Sequence, residues 1–171
     1  MADQITYRDA AETDAEALAA LFRESFCATF GHLYSPADLD SFLEGHAADG
    51  WARQLRDETI AVRIAECRGA IGLAKIGPLK LPVETFAPAV ELRQIYVLHR
   101  MHGAGVAANL MGWAIDEARR RGAAELYLSV YTDNPRAQRF YAKYGFVEVG
   151  PCVFMVGNHA DEDIIMKLVL G

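Results

Sequence analysis

"IYVLHRMHGAGVAANLM", residues 95–111, joins a strand-like run to a helix-like run through Gly103 and Gly105. Its reading decides the fold. Free N–H groups and a positive dipole end mark the start of any helix, and both favour phosphate. Glycines let the backbone come close to an anion and take torsions that other residues avoid. Short glycine motifs also occur in plain connections, so the flanking sequence must decide.

Upstream, "VELRQIYV" (90–97) reads as a strand. Downstream, a helix runs from about Gly105 to Arg121 and stops at Gly122. "ELYLSVY" (125–131) is again a strand. "NPRAQRFYAKYG" (134–145) has Asn134 as N-cap, Pro135 in the first turn and Gly145 past the end. The result is a strand-loop-helix-strand crossover followed by a short helix.

Outside this centre, "QITYR" (4–8) suggests a first strand. "TDAEALAALFRESF" predicts a helix with Thr13 and Glu16 at capping-box spacing and Leu18, Leu21, Phe22 and Phe26 on one stripe. "YSPADLDSFLEGH" restarts a helix at Ser35-Pro36, and "WARQLRDE" (51–58) adds a turn or two. "TIAVRIAEC" (59–67) and "AIGLAKI" (70–76) form a hairpin about Arg68-Gly69. Residues 77–89 carry three prolines and read as a loop. "FVEVG", "CVFMVG" and "DIIMKLVL" predict up to three closing strands. Helices, a hairpin and one crossover define a mixed α/β domain over 1–171.

Composition narrows the function. The chain has 171 residues, 52% hydrophobic and 23% charged, with a net charge of -6. No Lys/Arg run exists, which argues against nucleic acid as partner. No apolar run approaches the ~20 residues that span a bilayer, so no membrane role is expected. "MADQITYRDA" lacks the pattern of a signal peptide. Cys27, Cys67 and Cys152 show no C-x-x-C spacing and fit reduced thiols in a cytoplasmic protein. His32, His46 and His159 lack metal-ligand spacing and read as surface residues, so no metal is expected.

A P-loop fails because no Lys follows the glycines. Gly103-x-Gly105-x-x-Ala108 fits the dinucleotide fingerprint, but Leu98 to His102 separate it from its strand. The chain is also short for paired cofactor and substrate domains.

Taken with "LYLSV" and "NPRAQRFYAKYGF", the loop resembles the GNAT family of acyl-CoA N-acetyltransferases, over the ordered motifs from Val90 to Phe146. The family's pyrophosphate loop, Q/R-x-x-G-x-G/A, becomes His102-Gly103-Ala104-Gly105-Val106-Ala107. His102 departs from the usual Gln or Arg. A register starting at Arg100 also satisfies the pattern; the first is preferred because it places Leu110-Met111 at the family's paired apolar positions.

The resemblance implies a mostly antiparallel sheet with a central splayed parallel strand pair, flanked by helices. It implies acetyl-CoA as co-substrate and a primary amine of a small molecule or protein as acceptor. The loop would cradle the pyrophosphate, and the backbone of Ile95, Tyr96 and Val97 would pair with the pantetheine arm. Asn134 would help hold that arm, and Lys143 would reach the phosphates. Tyr141 matches the tyrosine that protonates the departing sulfur, with aromatic packing as its other reading. Glu91, on a cleft wall, is the candidate base, or else pairs with Arg93 or solvent.

Residues 1–89 would form mainly the acceptor side, 90–146 the acetyl-CoA core and 146–170 the closing strands. "CATFGHLYSPADLDSFL" and "FVEVGPCVFMVGNHADEDIIMKL" resemble the PaiA-like branch, which acetylates polyamines, with Asp38, Asp40 and Glu44 as acidic guides. A homodimer is a candidate assembly. The alternative function is an acetyl-CoA-binding regulatory module without turnover.

Overall fold

Strand β3 (Ala70–Pro78) is buried at seven consecutive positions, Ile71 to Gly77, as befits a strand covered on both faces. In the computed structural model, which describes residues 3–171, it lies inside a seven-stranded sheet of order β1-β2-β3-β4-β5-β7-β6. The other strands are β1 (Thr6–Asp9), β2 (Ala61–Glu66), β4 (Ala89–Val97), β5 (Glu125–Tyr131), β6 (Val147–Val156) and β7 (His159–Val169). The helices are α1 (Ala15–Phe30), α2 (Pro36–Glu44), α3 (Ala48–Arg56), α4 (Val106–Arg120) and α5 (Pro135–Lys143).

Helix α4 buries Val106, Leu110, Met111, Ala114 and Ala118, a stripe at helical spacing. It seats on β3 at Gly72, where a Cβ would come within 3.1 Å of Val106 and 3.2 Å of the Tyr96 carbonyl. The glycine therefore lets the head of α4 touch the sheet. On the opposite face of β3, Lys75 stacks over Trp51 of α3. Helix α1 buries Leu18, Leu21, Phe22 and Phe26 and packs beside α3, with the Phe22 ring 6.3 Å from that of Trp51.

All strand pairs are antiparallel except β4 with β5. That parallel pair holds only where Ala89, Val90 and Glu91 face Glu125, Leu126 and Tyr127. Beyond it β4 follows β3 as far as Val97 opposite Gly72. Lys75 pairs with Gln94 and Ile76 with Leu92, so Arg93 is an extra residue in β4. Such a bulge bends and twists its strand, which turns β4 away from β5. The Arg93 guanidinium lies over Gly77, where a Cβ would sit 2.9 Å from it, and donates to the Pro78 carbonyl at 2.7 Å.

Three local expectations change. Thr13 and Glu16 do not box the first helix. A short 3₁₀ turn (Glu12–Asp14) precedes it, and Asp14 accepts the Ala11 N–H at 2.7 Å while Arg8 holds the same carboxylate at 2.8 Å. Helix α3 starts three residues before the predicted Trp51 and ends at Arg56. The runs "FVEVG" and "CVFMVG" are one strand, β6, with an irregularity between Glu148 and Gly150. Pro151 fits there because β6 is the sheet edge, where a missing N–H breaks no ladder.

Candidate active site

Gly103 and Gly105 have φ of +84° and +80°, the left-handed region that only glycine enters cheaply. Gly105 is the N-cap of α4. A Cβ at either position would meet nothing within 4 Å, so the constraint is torsional. His102 reaches back and its Nε2–H donates to the Val97 carbonyl at 3.1 Å. Its ring lies edge-on to His99, 4.8 Å away. Burial holds the imidazole below its ordinary value despite this bond, so a neutral donor ties the loop to the end of β4.

Where β4 and β5 part, a cleft of about 720 Å³ opens. Ile95, Tyr96, Val97, His102, Gly103, Gly105, Val106, Ala107, Asn134, Tyr141 and Lys143 all line it. Two of the sequence-derived candidates are not brought there. Ala104 lies outside the lining. So does Glu91, whose carboxylate accepts the backbone N–H of Lys80 at 2.8 Å. Glu91 sits where β4 and β5 still pair, before the strands separate.

Asn134 caps α5 by accepting the Ala137 N–H at 3.3 Å, which leaves its side-chain NH₂ available to the cleft. Arg136, Arg139 and Lys143 recur at helical spacing on α5, are exposed, line the cleft, and carry no ion pair among the described residues. Their spacing is visible in the sequence, where Lys143 alone is expected at the phosphates.

Tyr141 is 9% exposed and packs edge-on to Phe140 and Phe146 at 5.5 and 5.9 Å. Burial pushes its phenol well above the ordinary tyrosine value, so it stays protonated. Tyr96 is raised in the same way, first by burial and then by the fields of Tyr141 and Asp163. These three groups are therefore electrostatic neighbours.

The far end of the cleft is aromatic and acidic. Phe26 stacks on Tyr34 at 5.9 Å, and Phe30 meets Tyr131 at 6.1 Å. The Tyr34 hydroxyl donates to Asp161 Oδ2, and His159 Nε2 lies 3.1 Å from Asp161 Oδ1. Asp161 and Asp163 are 5% and 7% exposed, and both line the cleft. Burial, then the charge of Asp161, pushes the Asp163 carboxyl up to about 6, with Ser129 opposing.

Sequence reasoning missed this pair. The available signal was "DED" just before "IIMKL": continuing the strand's period of two puts Asp161, Asp163 and Ile165 on one buried face. His159 is exposed, as expected, with its Nε2 against Asp161. His46 is no surface histidine: it stacks on Phe22 at 4.5 Å, and burial lowers its pKa. Asp38, Asp40 and Glu44 do not line the cleft. Asp38 instead accepts the Asn158 N–H at 2.9 Å and bonds Ser35.

A splayed parallel pair, a left-handed glycine loop heading a helix, and a buried tyrosine between them describe a class of group-transfer enzyme. The chain belongs to the GNAT family of acetyltransferases, whose model matches residues 15–146. It is accordingly an acyltransferase. It is 34% identical over 155 residues to an uncharacterised N-acetyltransferase of Mycobacterium tuberculosis, covering 90% of this chain and 96% of the relative. Its fold is similar to the PaiA N-acetyltransferase of Thermoplasma acidophilum in complex with coenzyme A, with a TM-score of 0.78 and 21% identity over 97% of this chain and 99% of that one. A Salmonella typhimurium acetyltransferase with its cofactor acetyl-CoA gives 0.68, at 23% identity over 98% and 94%. Among the described residues no helix is long and apolar enough to cross a membrane.

Proposed function

We propose that the protein transfers an acetyl group from acetyl-CoA to a primary amine, with a small polyamine-like molecule as the first acceptor to test and a protein amine as the other. The observation that carries this reading is the meeting, in one cleft, of the free edge of β4, the glycine loop and Tyr141. The site suits the donor. The backbone at Gly103 and Gly105 is open above both Cα atoms, and the head of α4 adds its dipole for a pyrophosphate. The basic stripe on α5 would serve the remaining phosphate, and Lys143 belongs to it. Ile95, Tyr96 and Val97 have no strand partner on the β5 side, so the backbone groups there that do not face β3 are available to the pantetheine arm, apart from the Val97 carbonyl, which His102 and Ser25 already occupy. Asn134 would hold the arm through its free NH₂.

The chemistry follows from these placements. The thioester carbonyl would lie against a β4 amide, which stabilises the oxyanion as the amine attacks. The buried Tyr141 hydroxyl, protonated at working pH, gives its proton to the departing sulfur. Holding both reactants in the slot between β4 and β5 supplies much of the rate. On this reading residues 90–146 form the donor half, and α1, Tyr34 after it and the β6–β7 hairpin enclose the acceptor. We also propose a cytoplasmic location, in keeping with three unpaired cysteines, and no nucleic-acid or membrane partner. A homodimer through β6 would cover the exposed Val147, Val149, Val153 and Met155.

The test is thiol release from acetyl-CoA across a panel of amines. Spermidine is expected to outrun amino-acid amines, with a KM that rises with salt as acidic groups are screened. Activity confined to a peptide N-terminus or lysine would move the acceptor to proteins. Acetyl-CoA binding without turnover on any amine would leave the regulatory reading.

A further inference from the structure

A buried carboxylate without a cationic partner is costly, and proteins usually pair it or bind a cation there. Asp163 is such a group: it is 7% exposed, lines the cleft, and forms no ion pair among the described residues. Its neighbour Asp161 is positioned from both sides, by Tyr34 on one oxygen and His159 on the other. A carboxylate has about four lone-pair sites, so Asp161 keeps room for another donor. A divalent metal would want six or more oxygens, and the surrounding wall is aromatic instead. Aromatic faces with a carboxylate suit an ammonium on an apolar stem.

We propose that Asp161 and Asp163 form the acceptor subsite for a primary alkylammonium, in which Asp161 anchors the cation and Asp163 takes its proton before attack. This rests on the acetyl-transfer reading above. The partners of the two carboxylates support the division of labour. Asp161 is already held by Tyr34 and His159, which suits a fixed anchor. Asp163 is buried with no cationic partner among the described residues, which suits a proton acceptor.

The balance of the step is as follows. The ammonium N–H bond breaks and Asp163 gains the proton. The neutral nitrogen forms its bond to the thioester carbon, and the carbon–sulfur bond breaks. Tyr141 protonates the sulfur, and the proton that nitrogen sheds on becoming an amide restores Tyr141. One proton per turnover leaves through Asp163 to solvent.

A carboxyl poised at about 6 is ionised at neutral pH yet basic enough to take a proton. The titratable groups that face it are Asp161 on β7, Tyr131 on β5, Cys152 on β6, Tyr96 on β4 and Tyr34 after α1. Burial, then the charges of Asp163 and Glu91, push the Cys152 thiol up to about 11, and burial raises the three phenols, so none of these four changes charge near neutrality.

The test uses propylamine and spermidine as acceptors, with calorimetry of acetyl-CoA binding alongside. Asp163→Asn is expected to lower kcat by 10²-fold or more and to abolish an acid limb near pH 6 that the wild type shows. Asp161→Asn is expected mainly in the amine KM, raised tenfold or more. Both variants should bind acetyl-CoA as the wild type does. Carboxyl ¹³C resonances of the CoA-bound wild type supply a second readout, needed if Asp163→Asn does not fold: the Asp163 signal should titrate near 6 and shift when propylammonium is added. Unchanged kcat and acid limb in folded Asp163→Asn would overturn the proposal. So would an Asp163 signal indifferent to both amines. Failure of the wild type to bind acetyl-CoA would instead sink the transferase reading itself.

Discussion

The two ends of the cleft are built from different materials. On the proposed reading the donor end comes mainly from one stretch, Ile95 to Ala107, which offers main-chain N–H and C=O, with Asn134 and the basic stripe of α5 added beside it. The acceptor end is assembled from side chains of distant segments: Phe26, Phe30 and Tyr34 on one side, Phe154, Asp161 and Asp163 on the other. A backbone cradle tolerates most side-chain changes but depends on torsions, hence on glycine. A side-chain pocket depends on each residue's identity and is free to vary between relatives. On that reading donor and acceptor can change largely independently, because the two ends draw on different segments and meet at Tyr96 and Tyr141.

The join should give the largest effect. Tyr141→Phe keeps the ring between Phe140 and Phe146, so fold and acetyl-CoA affinity should hold while turnover falls roughly 10²-fold, mainly in kcat. Near-normal kcat, with chemistry shown to limit the rate, would mean that another group protonates the sulfur.

The acceptor end should reveal itself in stability. Asp163 has a folded value of about 6, above an ordinary carboxyl, so the folded protein binds its proton more tightly than the unfolded chain. Stability therefore drops as pH rises from about 4 to 6, and roughly 3 kcal/mol stays lost above that range. Asn carries no such charge. Asp163→Asn should melt on the order of 10 °C higher than wild type at pH 8 and level with it near pH 4, by calorimetric scans. Equal melting at both pH values would show that the carboxylate is not strained.

At the donor end, Gly105→Val forces a β-branched residue to φ near +80°. Acetyl-CoA affinity should fall at least tenfold, about 1.4 kcal/mol, with little change in the amine KM. Unchanged affinity in calorimetry on the folded variant would break the assignment of the loop. The smallest effect belongs to the tie that sets the loop's position. His102→Ala removes the bond to the Val97 carbonyl and should weaken acetyl-CoA about threefold, whereas His102→Gln, which can still donate, should lose less. Equal losses in the two variants would argue against the tie.

The contrast also explains what the sequence made legible. A glycine at positive φ, a proline in a first turn and an alternating apolar strand are local consequences of local chemistry. Gly105, Pro135 and the hairpin of β2 and β3 could therefore be read directly. Tyr34 bonding Asp161 across 127 positions is a product of topology and leaves no local trace. Glu91 shows the reverse hazard. It lies on the right strand, but the strand is still zipped to its neighbour at that residue, and Lys80 occupies its carboxylate. The register of the splay, which no spacing rule gives, decides which residues of β4 reach the cleft.

That register hangs on one surplus residue. Arg93 is the position at which β4 runs out of step with β3, and Gly77 leaves bare backbone for its guanidinium to rest on. The slot thus opens beside a bulge: the β5–β7 ladder runs unbroken, the β3–β4 ladder slips at that one residue, and the seam between β4 and β5 ends at Glu91. A chain lacking that surplus residue would be free to run the β4–β5 ladder past Glu91, lengthening the sheet and narrowing the slot that the proposed reaction uses.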